Sequence, residues 1–441
     1  MTPPAMIVPV VLLAALAAGT PPVPLQERAR VDYVLVQVTA RDQDGRLVTN
    51  LGLDDFVLTE NGAKIRLESL DIIDLRTGAP PLPETLPSPL PTSSVRRITR
   101  SRVVYALDFQ FIGYADAQGT FRELARFLGK TVGRERLELM LYSLEGGRLM
   151  DAFTTDPQVA LQALADYRIR YRERLEKEGE RGPTEGDFGF AADLAAFERR
   201  LEDCRPLATA GLATQYWNCI QDTLAEFLEV QNDRTDTVLR ELEALATGLA
   251  GGDSVATVVF VSPGFSPNPG TAAKQLADSY LQGWAPRSGK ADTKGVPYPL
   301  PLEAAAPPAR LVSFEAAFDH LLDVCARSQV VFHTFDIFHF GFEQGRQTAA
   351  EFQSGPGPSL PAYRTYLQEL GHGMMEVAEE TGGAFHVGPI LHDLDGVLEG
   401  TRFLYILGYT PPAGTEGEYR KLKVKCLRKG VALAHRRGYV G

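Results

Sequence analysis

The chain has 441 residues, of which 44% are hydrophobic and 23% charged, and its formal net charge is −11. This length exceeds the roughly 250 to 300 residues that one hydrophobic core supports, and the composition excludes global disorder, so we expect more than one folded unit. The negative charge disfavours non-specific attachment to nucleic acid or anionic lipid, since both are polyanions.

The N-terminal segment, residues 1–26, is predicted to be a signal peptide. Its apolar run at 5–19 is shorter than the roughly 20 residues that a membrane-spanning helix needs, and small residues close it. An uncleaved anchor or tail is the alternative, because no Lys or Arg precedes the run and Pro9 interrupts it. We expect a secreted or periplasmic protein with no membrane span after the segment is removed.

A small β unit is predicted for residues 27–75. Val34, Val36 and Val38 alternate with more polar residues as in a half-buried strand, and Asn61-Gly62 is typical of a tight turn. Residues 76–101 are rich in proline, which removes backbone donors and favours an extended form, so this segment is predicted to be a linker.

Residues 102–400 alternate between apolar runs and amphipathic segments, which predicts an α/β fold with a doubly wound, mostly parallel, Rossmann-like sheet. The run at 103–107 reads as a strand buried on both faces and ends at Asp108. Residues 149–153 are expected to form a short edge strand. Two stretches interrupt the alternation: 168–250 is predicted to be a largely helical insertion and 282–310 a mobile loop.

The C-terminal residues, 401–441, return to strand-like alternation, with Leu422, Val424 and Cys426 on one face and lysines on the other. They are predicted to pack with residues 27–75 in a β-sandwich-like unit. Among the four cysteines, Cys204 and Cys219 lie close in a helical region and are the candidate disulfide pair, which export would permit.

Several segments in this order resemble the VWFA-related proteins of bacteria, a divergent branch of the von Willebrand factor type A fold. The resemblance covers about residues 31–440. It rests on VTARDQDGRLVTNLGLDDFVLTENG, VVYALDFQF, FTTDPQVALQAL, VVFVSPGFS, VAEETGGAFHV and FLYILGYTPP with YRKLKVKCLRKGVALAHRRGY. The family implies a doubly wound sheet and a role in binding.

Metal-binding members of the wider fold end the first strand in Asp-x-Ser-x-Ser and hold Mg²⁺ with further oxygen ligands at the carboxyl ends of strands. Here Asp108 matches the first position, but Gln110 and Ile112 replace the two serines, and Ser262-Pro263-Gly264 lacks a carboxylate. The resemblance thus implies a degenerate site. Its candidate members are Asp108, Gln110, Thr154, Thr155 and Ser262.

The leading hypothesis is an exported von Willebrand-like binding or scaffolding protein that contacts a protein partner, has no catalytic residues and requires no cofactor or metal. The contact surface is expected where strands end at Asp108, Ser262 and Asp336. The alternative is a secreted metal-dependent hydrolase that uses Asp108, Asp336 and a histidine, since His333 and His339 flank Asp336. No nucleophile elbow, phosphate loop or zinc-protease motif supports other enzyme classes.

Overall fold

The computed structural model describes residues 33–74, 100–110, 112, 114–131, 137–178, 189–250, 254–283, 308–337, 360–387, 390–412 and 417–440. The predicted signal peptide, nearly all of the predicted linker and most of the predicted loop at 282–310 lie outside these residues. The predicted linker ends two residues early, because a strand already begins at Arg100. Within the described residues no helix is long and apolar enough to cross a membrane.

Strands and helices follow one another along most of the described chain. The strands are β1 (Val34–Arg41), β2 (Phe56–Glu60), β3 (Ala63–Ile65), β4 (Ser69–Asp74), β5 (Arg100–Leu107), β6 (Leu137–Ser143), β7 (Gly147–Arg148), β8 (Ser254–Ser262), β9 (Val330–Asp336), β10 (Phe385–Val387), β11 (Phe403–Tyr409), β12 (Tyr419–Cys426), β13 (Ala432–His435) and β14 (Gly438–Val440). The helices are α1 (Tyr114–Thr131), α2 (Pro157–Glu178), α3 (Gly189–Asp203), α4 (Arg205–Thr209), α5 (Ala213–Leu249), α6 (Thr271–Gly283), α7 (Glu315–Ser328), α8 (Leu360–Thr381) and α9 (Ile390–Arg402).

The central sheet has the order β10-β9-β8-β5-β6-β7, and only the β6–β7 pairing is antiparallel. When the six strands are numbered 1 to 6 in chain order, with β5 as strand 1, their order from the β7 edge to the β10 edge is 3-2-1-4-5-6. This is the order of a doubly wound sheet. Residues 103–107 of β5 are at most 1% exposed because helices cover both faces, α1, α2 and α9 on one side and α5, α7 and α8 on the other. The predicted doubly wound, mostly parallel α/β sheet is confirmed. The predicted edge strand at 149–153 is wrong, since the edge pairing lies at β7.

Helix α5 has 37 residues and is about 55 Å long, whereas the nine residues of β8 span about 30 Å. Its C-terminal half packs on the sheet through Val238, Leu239 and Leu242. Its N-terminal half extends past the carboxyl ends of the strands and forms a second core with α3, α6 and the first half of α8. Part of the predicted helical insertion is therefore an integral layer of the α/β unit.

Two antiparallel sheets, β13-β1-β11-β4 and β14-β12-β2-β3, interleave the N-terminal and C-terminal strands. Their facing sides share one core that includes Val36, Leu58, Tyr405 and Leu422. The Asn61-Gly62 turn between β2 and β3 takes the left-handed conformation that its sequence favours. Arg436 joins this sandwich to the α/β unit, because its guanidinium donates to the carbonyl oxygens of Ala326 at 3.0 Å and of Leu35 at 2.9 Å.

Candidate functional site

Asp108 and Ser262, predicted to belong to one site, do meet at the carboxyl ends of β5 and β8. Ser262 Oγ donates to Asp108 Oδ2 at 2.7 Å and accepts the Gly264 amide at 3.0 Å. Both residues have 0% exposure. Gln110 reaches the carboxyl group through its backbone amide rather than as a side-chain ligand. The pair is thus an internal hydrogen-bonded unit.

Arg234 of α5 brings a guanidinium to this unit. The sequence analysis did not predict this residue. Its Nη2 lies 3.9 Å from Asp108 Oδ2 and donates to the Gly264 carbonyl at 2.6 Å, and the side chain is 1% exposed. Burial raises the pKa of the Asp108 carboxyl, while the positive charge of Arg234 and the hydrogen bond from Ser262 oppose that rise. A fixed cation therefore stands beside the carboxylate that a metal ion would need.

Thr154 and Thr155 lie at the opposite end of the sheet from Asp108. Thr154 exchanges backbone hydrogen bonds of 2.9 and 3.0 Å with Leu139, which pairs with Val103, four residues before Leu107. Four strand residues span about 13 Å. The structure does not bring either threonine to the predicted site, and Thr154 Oγ1 instead accepts the Asp156 amide at the start of α2.

Ser143 takes the corresponding place at the carboxyl end of β6. Its Oγ lies 3.1 Å from the Tyr167 hydroxyl and accepts the Glu145 amide at 3.2 Å. Glu145 forms an ion pair with Arg174, whose charge also acts on Asp108. The strand ends are therefore linked by a polar network that includes the buried Arg234 and the partly exposed Arg174.

A sequence signal for Arg234 exists in α5. Its buried positions repeat every three or four residues, as expected for the inner stripe of a long helix, and Gln231, Arg234 and Thr235 occupy that stripe between Leu228 and Val238. Polar residues at such positions require buried partners. Thr235 Oγ1 donates to the Ser266 carbonyl, and Gln231 lies 3.2 Å from the Tyr366 hydroxyl.

In the structure His333 lies beside His386, a residue that the metal-dependent hydrolase hypothesis did not include. His333 Nδ1 lies 3.4 Å from His386 Nε2, and His386 Nδ1 lies 3.2 Å from Asp393 Oδ2. Burial lowers the pKa of His333 to about 3, so the ring stays neutral. Asp336 is buried beside Ser262, and His339 lies outside the described residues. Over the described part of the chain, no group of three or more His, Cys, Asp or Glu side chains could hold a metal ion.

The carboxyl ends of the strands are covered by other elements. The Phe265 amide donates to Leu370 of α8, and the Gly264 and Ser266 carbonyls are bound by α5. Asp108, Ser262 and Asp336 therefore cannot form a contact surface themselves.

A groove of about 580 Å³ lies outside this covering layer, between the loop after β8, the start of α7 and the face of α8. Its lining includes Glu315, Asp319, Glu369 and Glu376, and within the described residues no lysine or arginine lines it. Glu369 helps to form the wall, since its carboxylate accepts the amides of Gly270, Thr271 and Ala272 at the start of α6. The groove is therefore acidic.

Cys204 and Cys219 are joined by a disulfide with a Cα–Cα distance of 5.9 Å, which ties the end of α3 to α5. Cys325 and Cys426 are free, and Cys325 is buried.

No family model matches the chain, and no curated protein and no solved structure matches it either.

Proposed function

We propose that the chain is an exported, von Willebrand factor A-like binding or scaffolding protein that contacts a protein partner without a divalent ion and catalyses no reaction. The resemblance of the sequence motifs and the 3-2-1-4-5-6 strand order support the family. The observation that carries the proposal is the position of Arg234. Its guanidinium lies 3.9 Å from the carboxylate that the metal-binding members use for their ion.

A hard cation such as Mg²⁺ requires a nearly octahedral set of oxygens, usually with more than one carboxylate or with several retained waters. Among the described residues, Asp108 has as neighbours one hydroxyl, from Ser262, one backbone amide, from Gln110, and one guanidinium, from Arg234. The guanidinium repels a second cation and already neutralises the carboxylate. Arg234 thus serves in place of the ion as the counter-charge that holds the strand ends together.

The acidic groove is a concave surface at the same end of the sheet, and it is the contact surface in this proposal. Ser266, four residues after Ser262, lines it, and so do Glu315, Asp319 and Glu376. Within the described residues the negative walls include His372, which pairs with Glu376, but no lysine or arginine, and this balance favours a partner segment that carries lysine or arginine. The partner then binds directly to the protein rather than through a bridging ion.

The test is binding of envelope proteins to the immobilised full chain, with each captured protein then purified and titrated directly. Binding should persist in EDTA and fall when the groove loses charge in Asp319→Asn/Glu376→Gln. The control Glu173→Gln/Glu399→Gln removes two exposed carboxylates from other helices and should bind as the wild type does. A partner that is retained only after Mg²⁺ or Ca²⁺ is restored would contradict the proposal.

Calorimetric titration gives an independent check on the metal. Mg²⁺, Mn²⁺ and Ca²⁺ should show no binding tighter than about millimolar, the weak end for extracellular oxygen-ligand sites. Micromolar binding of any of these ions that Asp108→Ala abolishes in a folded protein would contradict partner binding without a divalent ion.

A further inference from the structure

Four lysines give the outer face of the sheet β14-β12-β2-β3 a positive charge. Along β12, Lys421, Lys423 and Lys425 are exposed, while the residues between them are buried. Alternate strand residues lie about 6.8 Å apart on one face. Lys423 pairs with Thr59 and Thr59 with Lys64, so Lys64 lies on the same face two strands away. We call these four lysines the lysine face.

Within the described residues, the lysines differ from the arginines of the same sheet in having no carboxylate partner. Arg420 is paired with the buried Glu60, and Arg428 just beyond β12 is paired with Asp55. In the described structure none of the four lysines forms an ion pair. Their charge is therefore directed to solvent.

Exposed apolar side chains lie at both ends of the lysine face. At one end Tyr419 is 48% exposed, with its hydroxyl donating to Glu380, which is paired with Arg437, and its strand neighbour Val440 is 38% exposed. Leu427 is 65% exposed at the other end, where its amide still bonds to the Asp55 carbonyl. A positive sheet face bordered by an aromatic and two aliphatic side chains matches the polar and apolar layers of a membrane interface.

We propose that the lysine face binds peripherally to an anionic lipid surface, with its ammonium groups on the headgroup phosphates and with Val440 and Leu427 at the boundary with the acyl chains. Lysine is a strongly hydrated point charge on a flexible stem, which suits the diffuse charge of a bilayer, whereas recognition of a defined anionic group favours the fork of arginine. The proposal does not depend on the acidic groove.

The net charge of −11 does not oppose this contact. At physiological ionic strength, charges more than about 8 Å from the lipid surface are largely screened. The charges that count are those on the apposed face, and the strand positions of that face carry four lysines and no carboxylate. The acidic remainder of the chain orients the lysine face toward the lipid.

The experiment is co-sedimentation of the full chain with phosphatidylcholine vesicles, with and without phosphatidylglycerol. Binding should require phosphatidylglycerol and weaken as salt is raised. Lys421→Gln/Lys423→Gln/Lys425→Gln should reduce the partition coefficient at least about tenfold, since each lysine near an anionic surface contributes appreciably. The matched control Arg168→Gln/Arg170→Gln/Lys177→Gln removes the same charge from α2 and should bind as the wild type does.

Leu427→Ser provides a second variant that leaves the charge intact, and it should weaken binding without abolishing the dependence on phosphatidylglycerol. Circular dichroism and thermal unfolding should be unchanged in all variants, because the substituted side chains are exposed. Binding that ignores phosphatidylglycerol, or a triple variant that binds like the wild type, overturns the proposal. If the triple variant loses a purified acidic protein partner but keeps its vesicle binding, the face docks protein instead.

Discussion

Replacing Arg234 by methionine tests the role of the buried arginine most directly, since methionine keeps an unbranched stem and removes the guanidinium. Asp108 would then be left fully buried without its nearest positive charge, and the Gly264 carbonyl would lose its donor. Breaking a buried ion pair by removing one partner costs about 3 to 5 kcal/mol. That is a large share of the roughly 5 to 15 kcal/mol that stabilises a folded domain.

The loss should depend on pH in a defined direction. The pKa of Asp108 is raised in the folded state, so the folded state holds the proton more tightly than the unfolded state, and stability falls as pH rises through the folded pKa. Without Arg234 that pKa rises further. The stability deficit of Arg234→Met relative to the wild type should therefore grow as pH rises, because Asp108 of the variant keeps its proton to higher pH than Asp108 of the wild type does.

Urea unfolding followed by tryptophan fluorescence measures this effect, because one of the two tryptophans, Trp217, lies on the same helix α5. Arg240→Met is the matched control. Arg240 pairs with Asp236 one turn away and is 68% exposed, so its loss should cost less than about 0.5 kcal/mol. Asp108→Asn/Arg234→Met should recover part of the stability. A deficit below about 1 kcal/mol, or one that does not change with pH, would refute the reasoning.

Three further predictions concern other parts of the molecule. Deleting residues 403–441 removes β11, which lies between β1 and β4, so amide exchange of residues 34–41 should lose its protection, and retained protection would contradict the pairing. Replacing Cys204 and Cys219 by alanine opens a loop of sequence separation 15 and should cost about 3 kcal/mol in urea unfolding of the helical layer, so an unchanged midpoint would count against it. Burial raises the pKa of Cys325 to about 12, so its thiol should resist iodoacetamide at mildly alkaline pH until the protein unfolds; rapid native labelling would be inconsistent with this burial.

Local patterns predicted much of the architecture because periodicity and turn chemistry act over a few residues. The alternation at β1 and β12 gave the buried and exposed faces correctly, and the continuous apolar run of β5 gave its burial on both sides. Strand and helix alternation gave the doubly wound sheet. The short edge strand was misplaced, since β7 ends at Arg148 and the segment that follows, with Asp151 and Ala152 exposed, hydrogen-bonds to β6 through the backbones of Leu149 and Thr154 at its two ends.

The candidate site was only half determined by the sequence. Strand ends that follow two buried runs must lie together in a parallel sheet, so Asp108 and Ser262 could be paired in advance. The side on which Thr154 lies depends on how the chain returns along β6, and no local pattern encodes that. The contact of Arg234 with Asp108 joins residues that are 126 positions apart in the sequence. It depends on helix α5 extending past the carboxyl ends of the strands.

Net charge shows the same division between sequence and structure. The sequence alone determined the total of −11 and the alternation that exposes Lys421, Lys423 and Lys425. Only the tertiary structure decided that Lys64 joins them and that the acidic side chains gather elsewhere, in the groove beside α8. A composition sums charge over the whole chain, whereas a surface interacts through the charges that folding places within one screening length of it.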